Sequence, residues 1–309
     1  MANEDVPQQY WNSLLALTTK ATAGSEKRDV TPRPMSDENR KWLEAVMKDL
    51  VKEADPGRQM DAILQSLHSY ASSPADLNET DLGKIEELTD HLEDILGYAE
   101  ITNRFVGKGG LLVIETFLAQ RHHLFLQCRF AELVLSLTEN NPSTQSLFTR
   151  EGLLVKMLKL LEDDSYSEEF LFKLLSSISG SVRSHLESFE VFCENDGPRI
   201  LSNIVRKARN GKLAGKAARV MTSIAYTLED SPSHAKRLTV DIMSNFLYVL
   251  RNFPSDCAAE LEYIGDYVLA SVDPKDIPSE ILVDVVTCLK GRQVRISTAE
   301  DLVKKLSPT

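Results

Sequence analysis

Phosphate loops, metal sites and nucleophilic centres each demand particular residue types at particular spacing, and several stretches of this 309-residue chain invite that test. Phe105 to Leu118 reads FVGKGGLLVIETFL, glycines and a lysine ahead of an apolar run. A loop that cradles phosphate turns backbone N–H groups onto the anion and needs GxxxxGK[ST] or GxGxxG between a strand and a helix. Gly107, Gly109 and Gly110 have neither spacing, no Ser or Thr follows Lys108, and the preceding GYAEITNR is a poor strand. His122 and His123 are adjacent, whereas a helical metal pair sits at i and i+4 on one face; a surface or turn position is expected for both. Glu162, Asp163 and Asp164 lack the alternating ligands and central glycine of a calcium loop and read as a solvated acidic turn. Cys128, Cys193, Cys257 and Cys288 lie far apart with no CxxC, which points to reduced thiols filling a core. No nucleophile with its base stands out, so neither catalysis nor a cofactor or metal is expected.

The glycines make better sense as punctuation. The shape of 105–118 recurs in LFTREGLLVKMLKL from Leu147 and FCENDGPRILSNIV from Phe192. Aligned on Gly110, Gly152 and Gly197, the copies step by 42 and 45 residues, each with an apolar residue five positions earlier (Phe105, Leu147, Phe192). Each glycine ends one helix and starts the next. Asp241 begins a degraded fourth copy, DIMSNFLYVLRN, without the glycine. Helix pairs or triplets at this period indicate an all-α armadillo or HEAT-like right-handed superhelical solenoid of about four repeats, in which each repeat buries its apolar face only against its neighbours.

The elements around the repeats follow from periodicity and breakers. Trp11, Leu14 and Leu15 share a face of a short amphipathic helix within residues 1–20, and TAGSEKRDVTPRP makes 21–34 a flexible linker. Ser36 is a candidate N-cap for a helix whose Trp42, Leu43, Val46, Met47 and Leu50 face one way. Further helices are expected near 57–71 and 81–101, so that 35–102 forms an N-terminal helical cap, 103–272 the repeat core and 273–309 a C-terminal cap. A capping box is expected from Ser165 to Glu168.

Composition narrows the partners. Hydrophobic residues at 42% and charged residues at 26% suit a soluble globular protein, and no apolar run nears the ~18 residues that span a bilayer. The acidic start MANEDVPQQY excludes an ordinary secretory signal or basic transit peptide. A formal charge of −11 without a large basic stripe argues against nucleic acid. A cytoplasmic location, with the nucleus as a second, and a monomer are expected.

Function should then lie on a surface, and in an armadillo stack the third helix of each repeat lines the concave side. The non-core positions there are Arg129, Glu132 and Ser136 in the first copy. The second copy offers Lys173, Ser176, Gly180 and Arg183, the third Lys216, Arg219, Ser223 and Tyr226. Taken singly, each also fits ordinary solvated surface; as a set they suggest a polar, charged groove for a folded partner.

The chain resembles the armadillo-repeat nucleotide exchange factors that bind heat-shock protein 70, including their fungal relatives. The resemblance is carried by LLALTTKATAGSEKRDVTPRPMSDENRKWLEAVM, by GLLVKMLKLLEDD, by KLLSSISGSVR and by KLAGKAARVMTSI, in the family's order over most of residues 12–225. It implies that the groove embraces one lobe of the chaperone's nucleotide-binding domain and displaces the other, so that ADP leaves and the client follows. It also implies that Trp11, Leu14, Leu15 and Leu17 form a release segment competing with client peptide at the substrate-binding domain, against the alternative of a helix docked back on the solenoid. A general armadillo adaptor is the other reading. Peptide grooves of the nuclear-import type use Trp and Asn ladders, whereas Trp11 and Trp42 both lie outside the repeats.

Overall fold

The computed structural model describes residues 41–42, 55–228, 231–291 and 296–307. The chain divides into two compact units, Met1–Gln59 and Met60–Thr309. The amphipathic segment, the linker and the Ser36 cap lie outside the described residues. Among the described residues there are sixteen α-helices, two single 3-10 turns and no strand, and no helix is long and apolar enough to cross a membrane.

Helices α1 (Pro56–Ala71) and α2 (Glu79–Ile95) precede the repeats. α2 opens with a capping box, Asn78 accepting from the Asp81 N–H while the Asp81 side chain accepts from Asn78, an arrangement worth about 1 kcal/mol. The single helix expected over 81–101 is in fact two: α2 stops at Ile95 and a turn through Gly97 leads into α3 (Ala99–Gly107). Thr102 locks the turn by donating its hydroxyl to the Leu96 carbonyl at 2.6 Å.

From Ala99 the helices come in threes. α3, α4 (Gly110–Ala119) and α5 (Leu124–Thr138) make the first repeat. α6 (Pro142–Arg150), α7 (Leu153–Glu162) and α8 (Glu168–Val182) make the second. α9 (Leu186–Glu194), α10 (Gly197–Lys207) and α11 (Gly211–Tyr226) make the third. In the fourth, α12 (Pro232–Lys236) shrinks to about a turn before α13 (Thr239–Asn252) and α14 (Ala258–Ser271). α15 (Ser279–Leu289) and α16 (Ala299–Leu306) follow. Like packs on like: third helices stack as α2, α5, α8, α11, α14, and second helices as α4, α7, α10, α13.

The repeat is real, but its register differs by one residue from the alignment on glycine. The left-handed residue between first and second helices is Gly109, then Gly152, then Asp196, at φ of 84°, 84° and 58°, spaced 43 and 44 residues. Aspartate is one of the few non-glycine residues that tolerate this region. Gly110 and Gly197 come one position later, where a Cβ would fall inside the rings of Phe105 and Phe192. The second repeat puts Leu153 at that position. Its ring is Phe148, buried like the other two, and not the half-buried Leu147. Each such ring contributes on the order of 2–3 kcal/mol of burial.

Ion pairs bridge residues 37 to 47 positions apart, about one repeat. Asp61 of α1 is held by Arg104 and by Lys108 (2.6 Å) of α3. Arg121 reaches Asp163 at 2.5 Å, Arg150 reaches Glu187 at 2.8 Å, Arg199 reaches Glu162 at 3.1 Å and Lys207 reaches Asp164 at 2.9 Å. Exposed pairs of this kind are each worth about 0–1 kcal/mol; their effect is to fix which neighbour each helix meets.

The apparent chemistry of the sequence dissolves into this scaffold. Lys108 belongs to the Asp61 pair, and Gly109 is the helix break. Glu162 and Asp164 pair across repeats, while Asp163 accepts from the Ser165 hydroxyl at 2.5 Å. Ser165 therefore does not cap α8: Ser167 does, accepting from the Phe170 N–H at 3.2 Å. His122 is exposed, and the backbone N–H groups of His122 and His123 both donate to Gln120 Oε1, at 2.8 and 2.9 Å. Of the four thiols Cys257 is buried and the others half-buried, so core filling describes one of them. Burial pushes Cys128 and Cys193 up to about 11 and Cys257 up to about 12, keeping all three protonated. No group of three or more His, Cys, Asp or Glu able to hold a metal occurs among the described residues.

Candidate partner-binding face

The third helices carry the candidate residues because their other faces are consumed by packing. On α8, Phe170, Leu171, Leu174, Leu175 and Ile178 are buried, and on α11 Leu213, Ala217, Val220, Met221 and Ile224 are. Small residues let the helices close up. A Cβ on Gly180 would stand 2.8 Å from Leu135 Cδ1 of α5, so Gly180 sets the α5–α8 approach and offers no side chain to a partner. Gln145 seals the end of α8 by donating to the carbonyls of Gly180 (2.7 Å) and Arg183 (3.0 Å).

The N-terminal half of the face is neutralised from within. Arg129 is only 11% exposed and its guanidinium grips Asp90 (2.7 Å) and Glu93 (2.8 Å) of α2. Glu132 is held by Lys173 at 2.5 Å, and that bond raises the lysine above its ordinary range. Ser136 is exposed, and Ser176 folds back on its own helix, donating to the Phe172 carbonyl at 3.4 Å.

Further along the pairing fails. Arg183 meets Glu139 at no closer than 3.9 Å, and its Nε is enclosed without a partner. Among the described residues no carboxylate lies within ion-pair distance of Lys216 or Arg219; each stands instead over an aromatic ring. Lys216 Nζ is 5.1 Å from the centroid of Phe172, and the Arg219 guanidinium is 4.8 Å from that of Tyr263 on α14. Tyr226 extends the aromatic surface, 6.5 Å from Tyr263 and 6.1 Å from Tyr267. Ser223 is half-buried. A cation over a ring gains about 0.5–1 kcal/mol at an exposed site, enough to hold the head group without neutralising it. Burial, and then repulsion from Arg219 with Lys173 and Arg183 beyond, pulls Lys216 below the usual lysine range, with Glu260 the one acid opposing.

Arg183, Lys216 and Arg219 thus form one cationic cluster, with Lys173 at its edge bonded to Glu132 and Arg129 engaged with α2. Phe172 and Tyr263 hold two of these cations, and phase alone did not select them. Phe172 left a signal: it is a large apolar residue outside the core phase of α8, 37% exposed. Tyr263 left none, because its place beside Arg219 depends on the fourth repeat.

Comparisons with known proteins agree with this architecture. No family model matches the chain. It is 28% identical over 221 residues to Hsp70-binding protein 1 of Homo sapiens, covering 69% of this chain and 59% of that protein. It is 27% identical over 105 residues to the Hsp70 nucleotide exchange factor FES1 of Eremothecium gossypii, covering 33% and 36%. The chain thus spans about three fifths of the length of the mammalian relatives it matches. Among solved structures, a designed armadillo repeat protein in complex with a (KR)4 peptide aligns with TM-score 0.53 at 14% identity, covering 80% of this chain and 98% of that one. A second designed armadillo repeat protein aligns at 0.52 and 14%, covering 80% and 99%. The fold is that of armadillo repeats, and the likeness stated from stretches within residues 12–225 is found again among curated proteins.

Proposed function

We propose that this chain is a nucleotide exchange factor for a heat-shock protein 70 chaperone, binding the chaperone's nucleotide-binding domain through the third-helix face. The observation that carries the reading is the cationic pair of Lys216 and Arg219, held on rings with no carboxylate at ion-pair distance, with Arg183 no closer than 3.9 Å to Glu139, on a chain whose curated relatives are named for the chaperone they bind. In a protein of net charge −11, unpaired cations on one face select an acidic patch on the partner and repel nothing when it docks.

Exchange needs no catalytic residue. If seating the partner lobe on this face lowers ADP affinity 100-fold, ADP must weaken the complex by the same factor, about 2.7 kcal/mol of coupling. ATP binding then favours the closed cleft, the factor leaves and the client is dropped. Residues 1–20, with Trp11, Leu14, Leu15 and Leu17, act separately as a release segment at the substrate-binding domain; a tether can raise local concentration to about millimolar.

The deciding experiment is stopped-flow release of a fluorescent ADP from a cytosolic heat-shock protein 70. Acceleration by the wild-type chain, lost with Lys216→Glu plus Arg219→Glu while circular dichroism keeps its helical signature, supports the reading. No acceleration by a folded wild-type chain overturns it and leaves an armadillo adaptor for another partner.

A further inference from the structure

The fourth repeat departs from the pattern where its first helix is cut short. First helices run nine residues in the first three repeats, and α12 runs five. The fourth position of that helix is Gln145 in α6 and Phe189 in α9, both buried. In α12 it is Ala235, although α6 and α12 both begin Pro-Ser. The Gln145 carboxamide closes the end of the third helix of its own repeat through its two bonds to carbonyls, and Ala235 has no such group to offer α14. Lys305 of α16 takes the carbonyls of Val268 (3.0 Å) and Leu269 (2.7 Å) instead, and a cavity of about 340 Å³ remains beside Ala235.

Ala225, Leu228, Pro232 and Ala235 give this cavity an apolar wall. Tyr267 and Thr239 also line it; they are 4% and 6% exposed, and neither hydroxyl has a hydrogen-bond partner among the described residues. Buried polar groups almost always pair, so two idle hydroxyls lining one space call for a partner that fits it. Burial alone raises the Tyr267 phenol to about 12, which keeps it a donor at physiological pH. At the rim Lys236 is neutralised by Asp276 at 2.6 Å. Asp273 accepts from the Lys275 N–H at 3.0 Å through Oδ1 and is countered by Lys305, on which it acts. The rim is close to neutral, so it selects hydrogen bonds over ions.

We infer that the cavity binds a small primary carboxamide carried on a compact apolar body. The carbonyl oxygen of the ligand accepts from the Tyr267 hydroxyl, its N–H groups donate to the Oδ2 of Asp273, and its body rests on Ala225, Leu228 and Ala235. Such a ligand is the Gln145 side chain supplied from outside, the same group at the end of a third helix two repeats further on. The volume lies at the small end of the range for ligand pockets, roughly 300–1,000 Å³, room for one ring with a short substituent. The inference is independent of the chaperone reading.

The test titrates the full chain with benzamide, benzoate and benzylammonium, one ring with a neutral, an anionic and a cationic head, by ligand-observed saturation-transfer NMR at neutral pH. Benzamide is expected to bind about fivefold more tightly than either ion, or better. Ala235→Gln gives the chain its own carboxamide at this place and should weaken benzamide about tenfold or more by occupying the cavity. Tyr267→Phe removes only the hydroxyl and should weaken it about threefold or more. Thermal melting followed by circular dichroism checks that both variants fold; where Ala235→Gln does not, Tyr267→Phe decides alone. No benzamide signal at about 10 mM, an affinity no better than that of the two ions, or wild-type affinity in the folded variants each overturns the site.

Discussion

The two ends of the third-helix face are built from the same residue types to opposite effect. At α5 the guanidinium of Arg129 is 11% exposed and shared between two carboxylates of α2. At α11 the guanidinium of Arg219 leans on Tyr263 with no carboxylate within ion-pair distance. A carboxylate clamp consumes a cation's charge and makes it scaffold. An aromatic ring holds the cation in place and leaves its charge to be used. Sign and spacing alone cannot tell these apart, because the difference lies in what the neighbouring repeat supplies.

The comparison can be broken most forcefully at its open end. Lys216→Glu with Arg219→Glu should weaken chaperone binding about 100-fold, roughly 2.7 kcal/mol, measured by titration calorimetry, with the melting temperature little changed because no ion pair is lost. Binding unchanged by that double reversal would mean that the ring-held cations are bystanders. Gly180→Leu attacks the contact that joins the two ends. With Leu135 Cδ1 only 2.8 Å from a Cβ there, overpacking should cost about 1–3 kcal/mol in urea unfolding. An undiminished midpoint would show that α5 and α8 can separate freely.

The closed end should answer in the other currency. Arg129→Ala leaves Asp90 and Glu93 facing each other unpaired, and since Asp90 is well exposed the loss of stability should be about 1 kcal/mol, with chaperone affinity nearly kept. A large loss of affinity with stability intact would invert the roles assigned to the two ends. The smallest effect concerns the Asp61 clip. Hydrogen bonds from Arg104 and then Lys108 hold that carboxyl at about 2, below its ordinary 3.8. A depressed carboxyl contributes stability above its unfolded value and loses it as pH falls toward the folded one. The difference in melting temperature between wild type and Asp61→Asn should therefore be steady above about pH 5 and close as pH drops to about 2. A difference that persists at pH 2 would mean the clip acts through something other than charge.

The period of the solenoid was open to reading because a ring, a left-handed residue and an apolar helix recur in three repeats. Its register was not, because glycine serves two purposes one residue apart: Gly109 and Gly152 for the backbone, Gly110 and Gly197 for the ring. Asp196 fills the first role without announcing it. The helical phase found Arg129, Lys173, Arg183, Lys216 and Arg219 on one face, since phase is a property of single helices. Which of them are neutralised is a property of pairs of repeats. Glu93, Phe172 and Tyr263 lie some 36 to 44 residues from the cations they meet, and nothing in the local text marks them as partners. Gly180 sat in the right phase for the opposite reason, being absent of side chain so that α5 could approach.

Because each third helix packs chiefly on its counterparts one repeat away, the principal contacts join no first repeat to the fourth. Such a stack behaves mechanically as springs in series. A body seated against it is met by many small rotations shared among the interfaces, not by a hinge, and the most compliant interface sets how hard the whole can squeeze. Stiffening any one of them, even far from the cations, would change the grip as surely as changing a contact residue.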